Sequence, residues 1–202
     1  MRVQRPCVLV EPNDPACATL DDQYFVGDDV LVAPAFNEAG DRSVYLPRGT
    51  WYDFFSSSVV SGPRTVERRG VPWNQLPVYV RAGAIVPLGP EMSWSGEKPV
   101  DPLTVRYYAG DGTSSYSLYE DDGESAAPVA RRTVLTVVAE AAHLRFTAHG
   151  EGAPARAAYR LEITGRGTPR RVTANGHAVV FTPVDGRIVV TVPAEPTVDV
   201  EY

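Results

Sequence analysis

Six carboxylates fall within the first thirty residues: Glu11, Asp14, Asp21, Asp22, Asp28 and Asp29. Two carboxyl groups facing each other across a sugar, about 5–5.5 Å apart, are what retaining glycoside hydrolysis requires. The competing reading assigns these side chains to helix capping, turns and hydrogen bonds. It outweighs the catalytic one, because a segment this short cannot enclose a pocket by itself.

A second set is aromatic. Trp51, Tyr52, Phe54, Phe55 and Trp73 have faces suited to stacking on sugar rings. With Arg81, the residues Trp51, Tyr52, Phe54 and Trp73 form the candidate set for sugar contact or for packing on a neighbouring domain. Strand alternation sends some of these rings into a core, and core or interface outweighs a sugar platform. A third set is acidic: Asp111, Glu120, Asp121, Asp122 and Glu124, with Asp121 and Asp122 at its centre. Oxygen-rich loops can hold calcium. The spacing matches no EF-hand, however, and Asp-Gly pairs are ordinary turn residues, so a solvated turn is the expectation.

The remaining chemistry-bearing residues are sparse. His143, His149 and His177 show no ligand spacing, and His177 follows a hairpin glycine and is expected to be exposed. Cys7 and Cys17 are the only cysteines. Their spacing permits a disulfide, two buried thiols are the expectation, and two cysteines alone make no structural zinc site. No Ser-His-Asp order, glycine-rich phosphate loop or Cys-His cluster is present. No cofactor or metal is expected.

The elements that must position these residues are mostly strands. Val8-Leu9-Val10 is a short apolar run. Asn13 or Asp14 offers an N-cap and Pro15 a first helical position, so a short helix is expected through Ala16-Cys17-Ala18. Val30-Leu31-Val32-Ala33 reads as a strand apolar on both sides, of the kind sandwiched between other layers. Pro47-Arg48-Gly49 reads as a turn before Thr50–Phe55, and Arg64 to Arg68 as a polar, edge-like run. Leu76–Val80 leads into Arg81–Leu88. The stretch 89–102, rich in Gly, Pro, Ser and charge, reads as a linker.

Further on, period-two alternation dominates. Tyr159, Leu161 and Ile163 point one way and Arg160, Glu162 and Thr164 the other. Ile188, Val190 and Val192 repeat the pattern, as do Val198, Val200 and Tyr202. Asn175-Gly176 and Asp185-Gly186 are two-residue hairpin signals. Together they predict an antiparallel meander through Val172–Ala174, Val179–Thr182 and Arg187–Val192. Only Val137 to Leu144 competes as helix, through its Ala-Glu-Ala-Ala centre.

Composition narrows the function classes. The 202 residues suffice for one large or two small domains, and the net charge of -6 comes with a single lysine, Lys98. A phosphate backbone needs a basic stripe, so nucleic acid is excluded as a partner. No apolar run approaches the roughly 20 residues that span a bilayer, and no membrane partner is expected. The N-terminus carries no apolar h-region, which points to the cytoplasm unless the start is truncated.

Three stretches together resemble family 31 glycoside hydrolases of the α-glucosidase and α-xylosidase type. Arg5-Pro6, followed by Asp21-Asp22-Gln23-Tyr24-Phe25-Val26-Gly27-Asp28-Asp29-Val30-Leu31-Val32-Ala33-Pro34, looks like the segment that closes that family's barrel. Val44-Tyr45-Leu46-Pro47-Arg48-Gly49-Thr50-Trp51-Tyr52-Asp53-Phe54, with Pro77–Pro87, is similar to its proximal C-terminal β-sandwich. Tyr119-Glu120-Asp121-Asp122-Gly123 resembles the turn of its distal sandwich. The resemblance implies a mainly β fold: a short remnant of a (β/α)8 barrel at 1–35, a proximal antiparallel β-sandwich at 36–90, a linker at 91–102 and a distal β-sandwich at 103–202. The family hydrolyses α-linked glucose or xylose with an Asp nucleophile and an Asp acid/base in the barrel, and neither motif occurs in this sequence. It therefore implies a non-catalytic C-terminal portion whose partner is a catalytic barrel, in cis or as a separate chain, with α-glucan or oligosaccharide as a further partner. An autonomous carbohydrate-binding β-sandwich is the alternative. For the barrel reading, an exposed apolar patch is expected on the first segment and the neighbouring face of the first sandwich.

Overall fold

The computed structural model describes residues 4–123, 125–153 and 156–202. The chain is mainly β and divides into two compact units, one up to Ala82 and the other from Gly83. Each is taken by itself. No helix among the described residues is long and apolar enough to cross a membrane.

The first unit contains β1 (Gln4–Pro6), α1 (Cys7–Val10), a 3-10 turn (Pro15–Thr19), β2 (Tyr24–Val26), β3 (Val30–Val32), β4 (Arg42–Asp53), β5 (Val59–Arg68) and β6 (Val78–Arg81). Its strands form one sheet in the order β1-β2-β3-β6-β4-β5, antiparallel throughout. The 3-10 turn starts where the Asn-Asp-Pro signal places it: the Asp14 side chain accepts from the Ala16 N–H at 3.1 Å, with Pro15 at the first position. The polar run Arg64–Arg68 lies on the edge strand β5, as expected.

Two readings of this region are corrected. Pro47-Arg48-Gly49 is not a turn. It lies inside the twelve-residue β4, where the register against β5 shifts between Leu46 and Gly49. Pro47 has no N–H to give a ladder, and a bulge is where a strand tolerates that. Gly62 faces the bulge, and a Cβ there would lie 2.0 Å from the Pro47 carbonyl oxygen. Secondly, Cys7 and Cys17 are not separate thiols. Both are fully buried and joined in a disulfide with Cα atoms 5.0 Å apart, tying α1 to the 3-10 turn. Cys7, Cys17, Phe25, Leu31 and Ala33 share one core with Val44, Leu46, Trp51 and Tyr79. Within the sheet β3 pairs with β2 on one side and β6 on the other.

The second unit comprises β7 (Ile85–Leu88), β8 (Leu103–Tyr108), β9 (Gly112–Glu120), β10 (Arg131–Ala139), β11 (His143–Gly152), β12 (Ala158–Thr164), β13 (Arg171–Ala174), β14 (His177–Ala178), β15 (Thr182–Val184), β16 (Arg187–Pro193) and β17 (Thr197–Glu201). Two sheets, β14-β13-β17-β11-β10-β9 and β15-β16-β12-β8-β7, share one core. Leu135, Val137, Phe146 and Val200 come from the first, and Val105, Tyr159, Leu161 and Val190 from the second. The Phe146 and Tyr159 rings meet edge-on at 6.4 Å between them.

Here too the structure departs from expectation. Ile85–Leu88, assigned from sequence to the proximal sandwich, pairs with β8 in the second unit. Both hairpin turns form, with positive φ at Asn175, Gly176, Asp185 and Gly186. Yet β13–β14 and β15–β16 belong to different sheets, so the chain crosses over between them and no meander exists. The stretch Val137–Leu144 is the end of β10 and the start of β11, joined by a turn in which Glu140 N–H donates to His143 C=O at 2.8 Å. Leu135, Val137 and Ala139 are buried while Val134 and Val138 are exposed, a period of two that overrides the helix propensity of the turn.

β12 also carries more burial than a half-buried strand. It is central, antiparallel to β16 and parallel to β8. Glu162 and Thr164 on its polar face are buried. The Glu162 carboxylate accepts from Arg106 Nε at 2.8 Å and Arg160 Nε at 3.1 Å, with Arg187 Nε at 3.8 Å. Burial alone raises this carboxyl, but the bonds from Arg106 and Arg160 outweigh it and hold the group below 4.5.

Gly62→Ala should destabilise the protein by about 1–3 kcal/mol, whereas Gly89→Ala, with nothing within 4 Å of its Cβ, should leave the urea midpoint within experimental error. Glu162→Gln should cost about 3 kcal/mol at neutral pH, because guanidiniums are left buried without a counter-charge. With the folded carboxyl held below 4.5, that contribution is present above this value and is lost as pH falls through the lowered one. The gap between wild type and variant in chemical denaturation should therefore close in acid.

Candidate functional site

The aromatic candidates separate by exposure. Trp51 is fully buried and Tyr52 nearly so, and Phe54 is half-buried. Trp51, Tyr52 and Asp53 are all buried, and of the three Trp51 belongs to the core shared with Phe25 and Tyr79. Trp51 donates from Nε1 to the Pro47 carbonyl at 2.8 Å. Arg81 lies over its ring, 4.4 Å from the centroid, and 5.6 Å from that of Phe25. The same guanidinium donates to the Arg48 carbonyl at 3.3 Å and pairs with Glu11. Trp51 and Arg81 thus form one packed unit and offer no free ring face.

Trp73 is the opposite, 96% exposed, with Phe36 at 75% and Leu76 at 45%. These residues stand on two loops tied at both ends. Ala33 N–H donates to Pro77 C=O at 3.0 Å, and Val71 N–H to Gly40 C=O at 2.9 Å. The ties close the ends of the two loops that carry these three exposed apolar side chains. Asp41 stiffens the base, accepting from Arg69 at 2.8 Å and from Gly70 N–H at 3.1 Å. Phe55, 55% exposed, stacks edge-on against Phe54 at 5.2 Å.

Two of the early carboxylates frame a cleft of about 320 Å³, lined by Glu11, Asn13, Asp14, Tyr45 and Arg48 with the rings of Pro15 and Pro63. Gln23, only 3% exposed, clamps the Tyr45 backbone: its Nε2 donates to Tyr45 C=O at 2.7 Å and its Oε1 accepts from Tyr45 N–H at 3.0 Å. So fixed, the Tyr45 hydroxyl donates to Asp14 Oδ2 at 2.8 Å. Burial first, then this bond and the charges of Asp14 and Glu11, push the Tyr45 phenol up to about 12. Arg48 reaches the cleft from the bulge. From sequence, Glu11 and Asp14 were assigned to structure, and neither Arg48 nor the cleft was expected. A proline and a glycine within a run of strand formers was the one available signal of a bulge.

Residues 1–86 match the glycosyl hydrolase family 31 C-terminal domain. The chain carries a family 31 C-terminal domain. It is 33% identical over 125 residues to Alpha-glucosidase 2 of Bacillus thermoamyloliquefaciens, covering 61% of this chain and 16% of that protein. It is 30% identical over 185 residues to an Alpha-glucosidase of Aspergillus oryzae, covering 88% of this chain and 19% of that protein. Among solved structures, the GH31 dextranase of Flavobacterium johnsoniae superposes with a TM-score of 0.88 at 26% identity, over 100% of this chain and 29% of that one. The chain thus spans less than a fifth of the length of these two curated relatives.

The family 31 domain match contains the whole first unit, with the cleft and the exposed loops, while the likeness to the dextranase runs through both units. In the second unit the acidic candidates hold their own turn. Asp121 Oδ1 accepts from Gly123 N–H at 3.0 Å, and Asp122 Oδ1 from Ser125 N–H at 3.0 Å. Glu120 pairs with Arg156, and Asp111 lies 3.7 Å from Arg166. Glu124 lies outside the described residues. His177 is exposed on β14, His143 lies 3.3 Å from Asp199, and His149 lies 4.0 Å from Glu151. Among the described residues no group of three or more His, Cys, Asp or Glu is placed to hold a metal ion.

The Tyr45–Asp14 bond gives this region a pH signature. The neutral phenol is the donor, and its folded pKa of about 12 exceeds the ordinary value of about 10. Its contribution is therefore complete below pH of about 10 and is lost as pH rises towards the folded value. Tyr45→Phe should cost about 1–2 kcal/mol at neutral pH, and urea denaturation should show the difference from wild type shrinking only above pH of about 10.

Proposed function

We propose that this chain is the non-catalytic C-terminal portion of an α-glucosidase- or α-xylosidase-type family 31 glycoside hydrolase, and that it serves as a buttress for the catalytic (β/α)8 barrel. The observation that carries this reading is the exposed trio Phe36, Trp73 and Leu76 on the tied loops. Three large apolar side chains exposed on loops tied to each other are costly to leave in water and are suited to burial at an interface, at about 25 cal/mol per Å². The carboxylates support it from the other side. Asp14 bonds to Ala16 and Tyr45, Glu11 to Arg81, Asp22 to Arg42, Asp28 to Arg5 and Asp53 to Arg68. Each is committed to holding the fold, and hydrolysis is left to the barrel's own acid pair. The barrel joins this chain in cis or as a separate protein.

The same Trp73 favours a second reading, an autonomous carbohydrate-binding module that stacks sugar on the exposed indole. The two readings part in one experiment. The purified chain should show no turnover of p-nitrophenyl α-glucoside. It should bind a family 31 barrel expressed without its own C-terminal domain, and Trp73→Asp or Phe36→Asp should weaken that binding at least about tenfold. Binding that ignores both substitutions, or turnover that persists through purification, would sink the buttress reading. Maltooligosaccharide binding that Trp73→Asp abolishes would favour the module.

A further inference from the structure

We propose that the cleft between the 3-10 turn and the β4 bulge is a binding site for a neutral saccharide, one or two pyranose rings in size. The inference rests on the cleft's own chemistry and is independent of the buttress reading. Its volume of about 320 Å³ is at the small end of ligand pockets, about 300–1,000 Å³, which suits a short sugar and excludes a long chain.

The walls are pre-formed. Asp14 is fixed by its cap to Ala16 N–H and by the Tyr45 hydroxyl, and Glu11 by Arg81. The bulge turns Arg48 towards the cleft, as bulges re-aim side chains, and the Arg48 carbonyl is held by Arg81 at 3.3 Å. What remains uncommitted is the recognition chemistry. Among the described residues, neither the Arg48 guanidinium nor the Asn13 carboxamide has a side-chain bond, and Glu11 binds Arg81 through Oε1, leaving Oε2 as an acceptor. Donors and acceptors thus line the cleft together with Pro15 and Pro63.

Charge decides the class of ligand. The lining carries two carboxylates, Glu11 and Asp14, and one guanidinium, Arg48; Arg81, outside the lining, neutralises Glu11, and the remaining pair, Asp14 against Arg48, has no net charge. An inorganic anion would meet both carboxylates. A hard cation needs six or more oxygens and would meet the Arg48 guanidinium. A sugar hydroxyl satisfies both sides at once, donating to a carboxylate while accepting from the guanidinium or amide. Its C–H face can lie on the proline rings.

The test is titration of D-glucose and maltose into the full chain, up to about 50 mM, followed by amide chemical shifts. Millimolar affinity is expected, worth about 4 kcal/mol. The shifts should centre on Asn13, Asp14, Tyr45 and Arg48. Arg48→Ala and Asn13→Ala, both at exposed positions, should each weaken binding about fivefold or more with the folded spectrum intact. Trp73→Ala should leave it unchanged, and inorganic phosphate or calcium chloride should produce no saturable shifts. No saturable sugar response, one that survives the double substitution of Asn13 and Arg48, or one abolished by Trp73→Ala would overturn the proposal.

Discussion

Arg81 is the point on which the first unit turns. Its guanidinium lies over Trp51, bonds to Glu11 just beyond α1, and holds the carbonyl of Arg48 at the bulge. Three parts of the chain far apart in sequence meet at one planar cation. Lysine would not serve, because an ammonium can neither stack on an indole nor reach two acceptors in a fixed fork. With Trp51 buried beneath it and bonded to Pro47, the bulge cannot relax without disturbing the core. The cleft therefore inherits its shape from an interaction made for packing.

The second unit solves a similar problem differently. Its central strand β12 is covered on both faces, so its polar side chains cannot all reach water. Glu162 stays charged by collecting Arg106 and Arg160, with Arg187 close by. Such a cluster contributes little net stability compared with apolar packing, but losing one member is costly. It also restricts which strands can lie beside β12, since β8 must bring Arg106 opposite Glu162 and β16 must bring Arg187 opposite Thr164, two positions on.

How much of this was legible in the residues depends on the distance over which each signal acts. Turn chemistry is local: Asn175-Gly176 and Asp185-Gly186 form the hairpins their left-handed preferences require, and Asp14 caps the turn before Pro15. Binary alternation identified the core of β12, β16 and β17, whereas the Ala-Glu-Ala-Ala centre drew the end of β10 towards a helix reading. The family resemblance located the C-terminal domain. Sheet membership was not legible, because both hairpins read the same whether the chain stays in a sheet or crosses between two, and the crossover is decided by packing. The ladder partner of Ile85–Leu88 lies beyond the linker, out of reach of local pattern. In the candidate site, the side chains were visible as types but not as neighbours. Tyr45 and Asp14 are thirty-one positions apart and Glu11 and Arg81 seventy, and only the fold makes them a wall.

The edge strand β5 has a consequence for the molecule in solution. Its outer rim is free of any partner strand among the described residues, and a row of open amides ordinarily recruits a neighbour. Here Pro63 removes one donor from the row, and Arg64, Glu67 and Arg68 place charges along it. A foreign strand approaching that rim meets a missing rung and ions it would have to desolvate. Growth of the sheet by end-on recruitment, the first step towards a fibril, is blocked on that side.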